Sequence, residues 1–148
     1  MRCLFLLSIT ITFISCKTLV LGQNHVQWTT QWSKEKQTVI LTGKIDPNWH
    51  LYSPETDPNL GPIALSVRFS KHKGLKLLGK TVFRPKATQH FDENFGGQVF
   101  TWENEITIEQ SFRLKNKVTI SVVLNYMACD ETQCLPPIDK TFTLTLEK

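Results

Sequence analysis

The chain has few cysteines, little excess charge of either sign and few long apolar runs. Two of its four cysteines, Cys3 and Cys16, lie within an apolar amino-terminal segment. Without Arg2 and Lys17, the 17 basic residues fall to 15 against 13 acidic ones, a net charge of +2. So small an excess gives no electrostatic case for nucleic acid or an anionic surface as a partner. Beyond the amino-terminal segment, no apolar run is long enough to cross a membrane.

Internal repeats, low-complexity runs and linkers are also missing, so the chain is expected to form one domain. The four histidines, His25, His50, His72 and His90, have no ligand spacing relative to the cysteines. A structural zinc ion needs four ligands, and we therefore expect neither a metal nor a cofactor. Isolated histidines of this kind are usually surface residues.

Residues 1–22 have the pattern of a secretory signal peptide. Arg2 is followed by the apolar run Leu4–Ile14, which has the length of a signal-peptide core and is too short to span a bilayer. Cleavage at the end of this segment would leave residues 23–148, long enough for one domain with its own core. The alternative is a lipoprotein signal ending before Cys16, which would anchor the protein through a lipid. We expect the domain in the periplasm, where disulfides persist.

Apolar and polar residues alternate with a period of two, while helical periodicity is missing. The alternation is clear in Val26–Trp32, Val118–Tyr126 and Phe142–Leu146. Turn-forming sequences such as Asp46-Pro47-Asn48 and Gly96-Gly97 separate segments of this kind. About seven or eight short strands with this spacing predict an all-β fold, an antiparallel two-sheet sandwich of immunoglobulin-like type.

Cys129 and Cys134 lie in the connection between two predicted strands, Val118–Ala128 and Lys140–Leu146. A disulfide in so short a loop would stabilise the fold by only about 2 kcal/mol, and a domain of this size would not depend on it. The anionic residues after Cys129 disfavour a thiolate in either cysteine. By themselves, the residues favour a structural disulfide, because most isolated pairs in exported domains are inert. The alternative is a redox disulfide that an incoming thiolate attacks.

Three segments together carry a family resemblance. They are Trp49-His50-Leu51-Tyr52, Phe91-Asp92-Glu93-Asn94-Phe95-Gly96, and Tyr126 to Phe142 with its Cys129, Cys134, Pro136-Pro137 and Lys140-Thr141-Phe142. In order and distance they resemble an aromatic stretch, a cap loop and a redox loop of the amino-terminal periplasmic domain of the thiol-disulfide interchange protein DsbD. The spacing between the two cysteines is one residue shorter than in that family.

The resemblance implies an immunoglobulin-like domain whose cysteine pair cycles between dithiol and disulfide without a cofactor. Such a domain relays electrons to thioredoxin-like periplasmic proteins, among them disulfide isomerases and the reductants of cytochrome c maturation. Cys134 would form the mixed disulfide with a partner and Cys129 would resolve it. The chain has no membrane region or thioredoxin-like domain of its own, so we expect a stand-alone monomer that receives electrons from a separate membrane-embedded donor.

The resemblance also assigns roles around the cysteines. A cap loop would shield the sulfurs until a partner displaces it, and aromatic residues would line the site. The cap residues are Asp92, Glu93, Asn94 and Phe95, with Phe95 as the shield, and the lining residues are Trp49 and Tyr52. The alternative function is a non-catalytic periplasmic interaction domain of the same fold, in which the Cys129–Cys134 disulfide is structural.

Overall fold

The computed structural model describes residues 25–148, which form antiparallel strands and no helix. The strands are β1 (Val26–Ser33), β2 (Thr38–Ile45), β3 (His50–Tyr52), β4 (Ser66–Phe69), β5 (Leu75–Arg84), β6 (Thr88–Asp92), β7 (Gly97–Glu103), β8 (Glu105–Leu114), β9 (Val118–Tyr126), β10 (Ala128–Cys129) and β11 (Ile138–Leu146). Within this range, no helix could cross a bilayer. The predicted signal peptide and the lipid anchor at Cys16 lie outside the described residues.

Hydrogen bonds divide the strands over three antiparallel sheets. Their orders are β1-β2-β8-β5, β10-β3-β7-β6 and β11-β9-β4. The all-β antiparallel prediction is confirmed, with more strands and one more sheet than the two expected. The second sheet was not predicted because β3, β6 and β10 have only 3, 5 and 2 residues. Strands this short do not show a clear alternation of apolar and polar residues.

The main hydrophobic core collects the inward-facing side chains of the longer strands. Along β8 and β9, residues at every second position are buried, as the alternation predicted. Fully buried members include Leu41, Ile108, Val122 and Leu124. Burying a side chain of this size stabilises the fold by roughly 1.5–3 kcal/mol relative to leaving it exposed. None of the buried residues in this core is a cysteine.

Strand β5 is one that the alternation did not reveal. Its register against β8 shifts between Leu78 and Val82, and Gly79 within that step has a positive φ of 68°. A bulge of this kind interrupts the period of two, and glycine adopts the required backbone conformation without a steric penalty. The strand also lies at the edge of its sheet, where exposed Lys76 and Lys80 interrupt the apolar positions.

The strand predicted over Val118–Ala128 is two strands in the structure. β9 ends at Tyr126 in the third sheet, and after Met127 the chain joins the second sheet as β10, paired with β3. Continuous alternation hid this change of sheet. Its effect is to place Cys129 directly opposite His50.

Candidate functional site

Cys129 and Cys134 are joined by a disulfide with an S–S distance of 2.04 Å. Backbone pairing closes the loop beneath it, where the N–H of Leu135 donates to the carbonyl of Ala128 at 2.9 Å. Cys129 is fully buried, whereas Cys134 is exposed. Cys134 is therefore the half of the disulfide that an incoming thiolate can reach.

The carboxylate of Asp130 organises the loop between the cysteines. Its Oδ1 accepts hydrogen bonds from the N–H of Thr132 at 2.7 Å, the hydroxyl of Thr132 at 2.8 Å and the N–H of Gln133 at 2.8 Å. These hydrogen bonds, those from Thr132 above all, stabilise the charged form and lower the pKa of Asp130 to about 2. The loop thus carries a fixed negative charge near the disulfide.

Cys129 belongs to a small apolar cluster that is distinct from the main core. Its buried members are Tyr52, Val99, Met127 and Cys129, with Leu60 and Phe95 packed against them as partly buried residues. We call this group the site cluster. Its members come from β3, β7, β10, the connection before β10 and two surface turns.

Phe95 lies in the turn between β6 and β7 and packs against the site cluster. Its ring meets that of Tyr52 edge to face, with centroids 5.7 Å apart and planes at 84°. It also contacts the backbone at Gly61, where an added Cβ would lie 3.3 Å from the ring. Because Gly61 has a φ of 114°, glycine is favoured there by conformation as well. A Cβ at Gly97 would lie 2.5 Å from Leu60, so the two turns are packed together.

Asp92 links the cap turn to Tyr52. Its side chain is buried, and Oδ1 accepts hydrogen bonds from the N–H of Asn94 at 2.9 Å and of Phe95 at 3.2 Å. Oδ2 accepts a hydrogen bond from the Tyr52 hydroxyl at 2.8 Å. One carboxylate therefore both shapes the turn that carries Phe95 and holds that turn to the site cluster.

His50 extends this chain of hydrogen bonds to the strand beside Cys129. Its Nε2 lies 3.1 Å from the Tyr52 hydroxyl. Because that hydroxyl donates its proton to Asp92, the neutral His50 must donate from Nε2 to Tyr52. Burial lowers the pKa of His50 despite the opposing charges of Glu131 and Asp92. Burial and the Asp92 hydrogen bond raise the pKa of Tyr52, so that the phenol remains a donor.

Trp49 is a predicted site residue that the structure does not place in the site cluster. It belongs to the main core, where its ring stacks on that of His25 with centroids 3.7 Å apart and planes at 6°. Trp49 is on the same short segment as Tyr52 but an odd number of residues away. In an extended chain, side chains three residues apart point to opposite faces.

Four residues of the site were missed in the sequence, namely His50, Leu60, Val99 and Met127. A signal for His50 was present, because it is two residues from Tyr52 and side chains at that separation share one face of a strand. Leu60 and Met127 lie in connections, where no periodicity points to burial. The place of Val99 in the site could be predicted only if the pairing of β7 with β3 and β6 were known.

An open cleft of about 330 Å³ separates the cap turn from the cysteine loop. Its lining residues are His50, His90, Phe91, Asp92, Glu93, Asn94, Asp130 and Glu131. Half of these residues are carboxylates, so the cleft has a negative field that favours basic groups on a visiting molecule. Within residues 25–148, no group of three or more His, Cys, Asp or Glu side chains is arranged to hold a metal ion.

Comparisons with known proteins bear on the family and the fold of this chain. The family model for thiol:disulfide interchange protein DsbD, N-terminal, matches residues 9–146. No curated protein matches the chain significantly.

Three solved structures share the fold. The Neisseria meningitidis DsbD N-terminal domain in its reduced form aligns with a TM-score of 0.60 and 18% identity, over 83% of this chain and 86% of that one. The complex of the DsbD and PilB N-terminal domains from the same organism aligns with a TM-score of 0.57 and 18% identity, over 78% of this chain and 80% of that one. The N-terminal periplasmic domain of ScsB from Proteus mirabilis aligns with a TM-score of 0.53 and 17% identity, over 87% of this chain and 49% of that one. The immunoglobulin-like fold is thereby confirmed.

Proposed function

Since this chain belongs to the family of the N-terminal domain of the thiol:disulfide interchange protein DsbD, we propose that it exchanges disulfides with thioredoxin-like partners through Cys129 and Cys134. The observation that carries the proposal is the unequal exposure of the two cysteines. Cys134 is open to solvent, whereas Cys129 is buried in a cluster covered by Phe95. A disulfide built in this way offers a partner one sulfur to attack and protects the other.

The pair would accept two electrons in two exchange steps. A thiolate of the reduced donor attacks Sγ of Cys134, breaks the bond to Cys129 and forms a mixed disulfide, while Cys129 leaves as a thiolate and takes up a proton. The donor's second thiol then attacks the donor's own sulfur in the mixed disulfide and loses its proton, while Cys134 leaves as a thiolate and takes up a proton. The chain retains two thiols, and the donor's two thiols have become a disulfide.

Electrons would pass on by the same chemistry in reverse. Cys134 attacks the disulfide of an oxidised acceptor, and Cys129 then resolves the mixed disulfide, which restores the Cys129–Cys134 bond and releases a reduced acceptor. The charge of Asp130 disfavours a thiolate on the neighbouring cysteines, so the activated sulfur of the first half-reaction is better supplied by the donor. An acidic cleft between the cap turn and the cysteine loop also suits a partner whose own site has basic surroundings.

The cap turn would control access to the sulfurs. In the described conformation, Phe95 covers the site cluster, and the turn is held by Asp92. A partner would displace Phe95 on docking, while small oxidants and stray thiols would be kept from the buried sulfur of Cys129. The relative that forms a complex with the PilB N-terminal domain supports the idea that domains of this fold dock partner proteins.

We further propose that the domain acts in the periplasm as a monomer, without a cofactor, and receives electrons from a separate membrane-embedded donor. The likeness to a periplasmic domain of ScsB supports the location. The acceptors would be thioredoxin-like proteins such as disulfide isomerases and reductants of cytochrome c maturation.

The reduction potential of the Cys129–Cys134 pair tests this function. The purified protein would be equilibrated with glutathione or dithiothreitol buffers and its thiols counted by alkylation. We expect a value in the range of catalytic thioredoxin-like proteins, roughly −120 to −270 mV, with both redox forms folded. A value below about −300 mV would make the disulfide structural and would favour the non-catalytic interaction domain.

Single cysteine variants test the assignment of roles. Cys129→Ala leaves Cys134 exposed and without its resolving partner, so we expect it to accumulate a mixed disulfide with a thioredoxin-like protein in a periplasmic extract. Cys134→Ala keeps only the buried sulfur and should trap nothing under the same conditions. Non-reducing electrophoresis followed by mass spectrometry reads the result. Equal trapping by both variants would contradict the assignment.

A further inference from the structure

The small net charge of the chain conceals a separation of charge within the fold. Two stretches, residues 70–76 and 113–117, contain no Asp or Glu. Together they carry Lys71, Lys73, Lys76, Arg113, Lys115 and Lys117, and all six side chains are exposed. We call this group the basic end.

Strand pairing brings the two stretches together. Lys76 lies opposite Arg113 in the β5–β8 ladder, and the N–H of Lys115 donates to the carbonyl of Gly74 at 2.9 Å. Side chains of Lys73, Lys76, Arg113 and Lys115 line one surface cleft. Of the six cations, only Lys117 makes an ion pair within the described chain, with Glu147. The other five are therefore not neutralised by neighbouring carboxylates.

The basic end and the disulfide lie at opposite ends of the domain. Strand β9 begins next to Lys117 and ends three residues before Cys129. The steps from the first to the last of its 9 residues, at about 3.3 Å each, separate the two ends by about 26 Å. The disulfide end carries the carboxylates of Asp130, Glu131 and the cap turn. The basic end is thus a positively charged surface at the end of β9 away from the cysteines, while the cysteine end carries a cluster of carboxylates.

We propose that the basic end binds the surface of a bilayer that contains anionic phospholipids, so that the disulfide end points away from the membrane. Five of the six cations are lysines, whose compact charges on flexible stems suit many loosely arranged headgroup phosphates. A protein partner would require apolar anchors among the charges. Among the exposed large apolar side chains of residues 25–148, only Leu77 is next to this group, while Ile63, Val82, Phe91 and Ile138 lie elsewhere.

Two variants of equal net charge separate this proposal from simple charge attraction. The first replaces Lys73, Lys76, Arg113 and Lys115 by Gln and removes most of the basic end. The control replaces Lys44, Lys80, Lys86 and Lys140 by Gln, four exposed or half-buried cations outside it. Both variants keep residues 1–24 unchanged, so any contribution of that segment to membrane binding is the same in both.

Co-sedimentation with vesicles measures the effect. We expect the wild-type protein to bind vesicles of equal parts phosphatidylglycerol and phosphatidylcholine, and to bind them less tightly as the salt concentration increases. It should not bind vesicles of pure phosphatidylcholine. Each cation near such a surface contributes about fivefold in binding, so the basic-end variant, which lacks four of them, should bind on the order of 600-fold more weakly. The control variant should stay close to the wild type, and the disulfide of the bound protein should be reduced by a soluble dithiol as fast as that of the free protein.

Several outcomes would overturn the proposal. Equal loss in both variants would show that net charge alone decides the binding. Displacement by millimolar inorganic phosphate would indicate a site for a small anion. Equally strong binding to duplex DNA would indicate a general polyanion surface. Unchanged binding by the basic-end variant would assign membrane binding to another part of the chain. None of these results depends on the potential of the cysteine pair, so the proposed function is tested separately.

Discussion

Two phenylalanines of the same hairpin differ in what they cover, and this difference allows a matched test of the cap. Phe95 packs on the site cluster, whereas Phe91 is 58% exposed and lies in β6. We expect Phe95→Ala to speed alkylation of the reduced Cys129 by iodoacetamide at least several-fold, because it removes a side chain that packs on the cluster around this thiol. Phe91→Ala should leave the rate unchanged, and equal rates in both variants would mean that Phe95 is not the shield.

The half-buried His50 predicts a dependence of stability on pH. Burial lowers its pKa in the folded protein below 6.5, and the carboxylates of Glu131, Asp92 and Glu103 only partly oppose this, while His90 adds to it. Between the lowered pKa and 6.5, the unfolded chain binds more protons than the folded one. The free energy of unfolding should therefore fall as the pH decreases through this window, and stay constant in pH above it as far as His50 is concerned.

Urea unfolding of wild type and His50→Gln at pH values on both sides of 6.5 measures this contribution. The Gln variant retains a side-chain N–H that can reach Tyr52, and it should lose the pH dependence that His50 supplies. His72→Gln, at an exposed histidine, should keep it. The prediction is wrong if His50→Gln and the wild type show parallel profiles.

The contribution of His50 could not be predicted from the sequence. Cys129, Cys134 and Phe95 were recognisable because their residue types lie in a familiar order along the chain. His50 was set aside as a surface residue because it lacks ligand spacing, although its contribution is a hydrogen bond to Tyr52. Such a bond depends on which strand packs on which, and residue type alone does not encode it.

Among the elements, the cysteine loop owes its shape to Asp130, and two substitutions there separate hydrogen bonding from charge. Asp130→Ala removes the acceptor for Thr132 and Gln133. The loop should then hold the two sulfurs together less often, so the disulfide should form less favourably and its reduction potential should become less negative. Asp130→Asn keeps the side-chain oxygen and should stay close to the wild type.

Equilibration with glutathione buffers reads both potentials. If Asn and Ala shift the potential equally, the effect belongs to the lost charge, and the hydrogen-bonded turn does not determine it. Because the pKa of Asp130 is lowered to about 2, the wild-type potential should show no titration of this group in neutral or mildly acidic buffer.

Elements were predictable from sequence where one face of a strand is consistently buried. β8 and β9 show this pattern, since their inward positions fill the main core. β5 does not, because the bulge near Gly79 changes the inward face part-way along the strand. The cap turn was located by its local residues, but its support by Leu60 and Gly61 comes from a distant part of the chain and leaves no local signal.

On the scale of the whole molecule, the structure predicts that the fold survives reduction of its disulfide. The buried residues of the main core include no cysteine, and the disulfide closes a loop with a sequence separation of only 5. We expect Cys129→Ser combined with Cys134→Ser to lower the free energy of unfolding by about 2 kcal/mol. Cooperative urea unfolding with an unchanged m-value is the expected readout, whereas loss of the transition would make the disulfide essential to the fold.

The distribution of charge is a property that only the assembled molecule has. Net charge, computed from the sequence, gave no reason to expect an anionic surface as a partner. Strand order then brought residues 70–76 and 113–117 to one end and the acidic cap and cysteine loops to the other. A sum over residues discards their positions, so no treatment of composition could have recovered this separation.

The division between the main core and the site cluster also bears on how such domains diverge. Residues that keep the sandwich folded and residues that surround the cysteines are largely different sets. Substitutions can therefore accumulate in one set without being constrained by the other, and a fold can persist at 18% identity to a solved relative. For protein engineering, the same division means that variants with altered partners can be selected by changing residues around the cysteines, while the residues of the main core stay as they are.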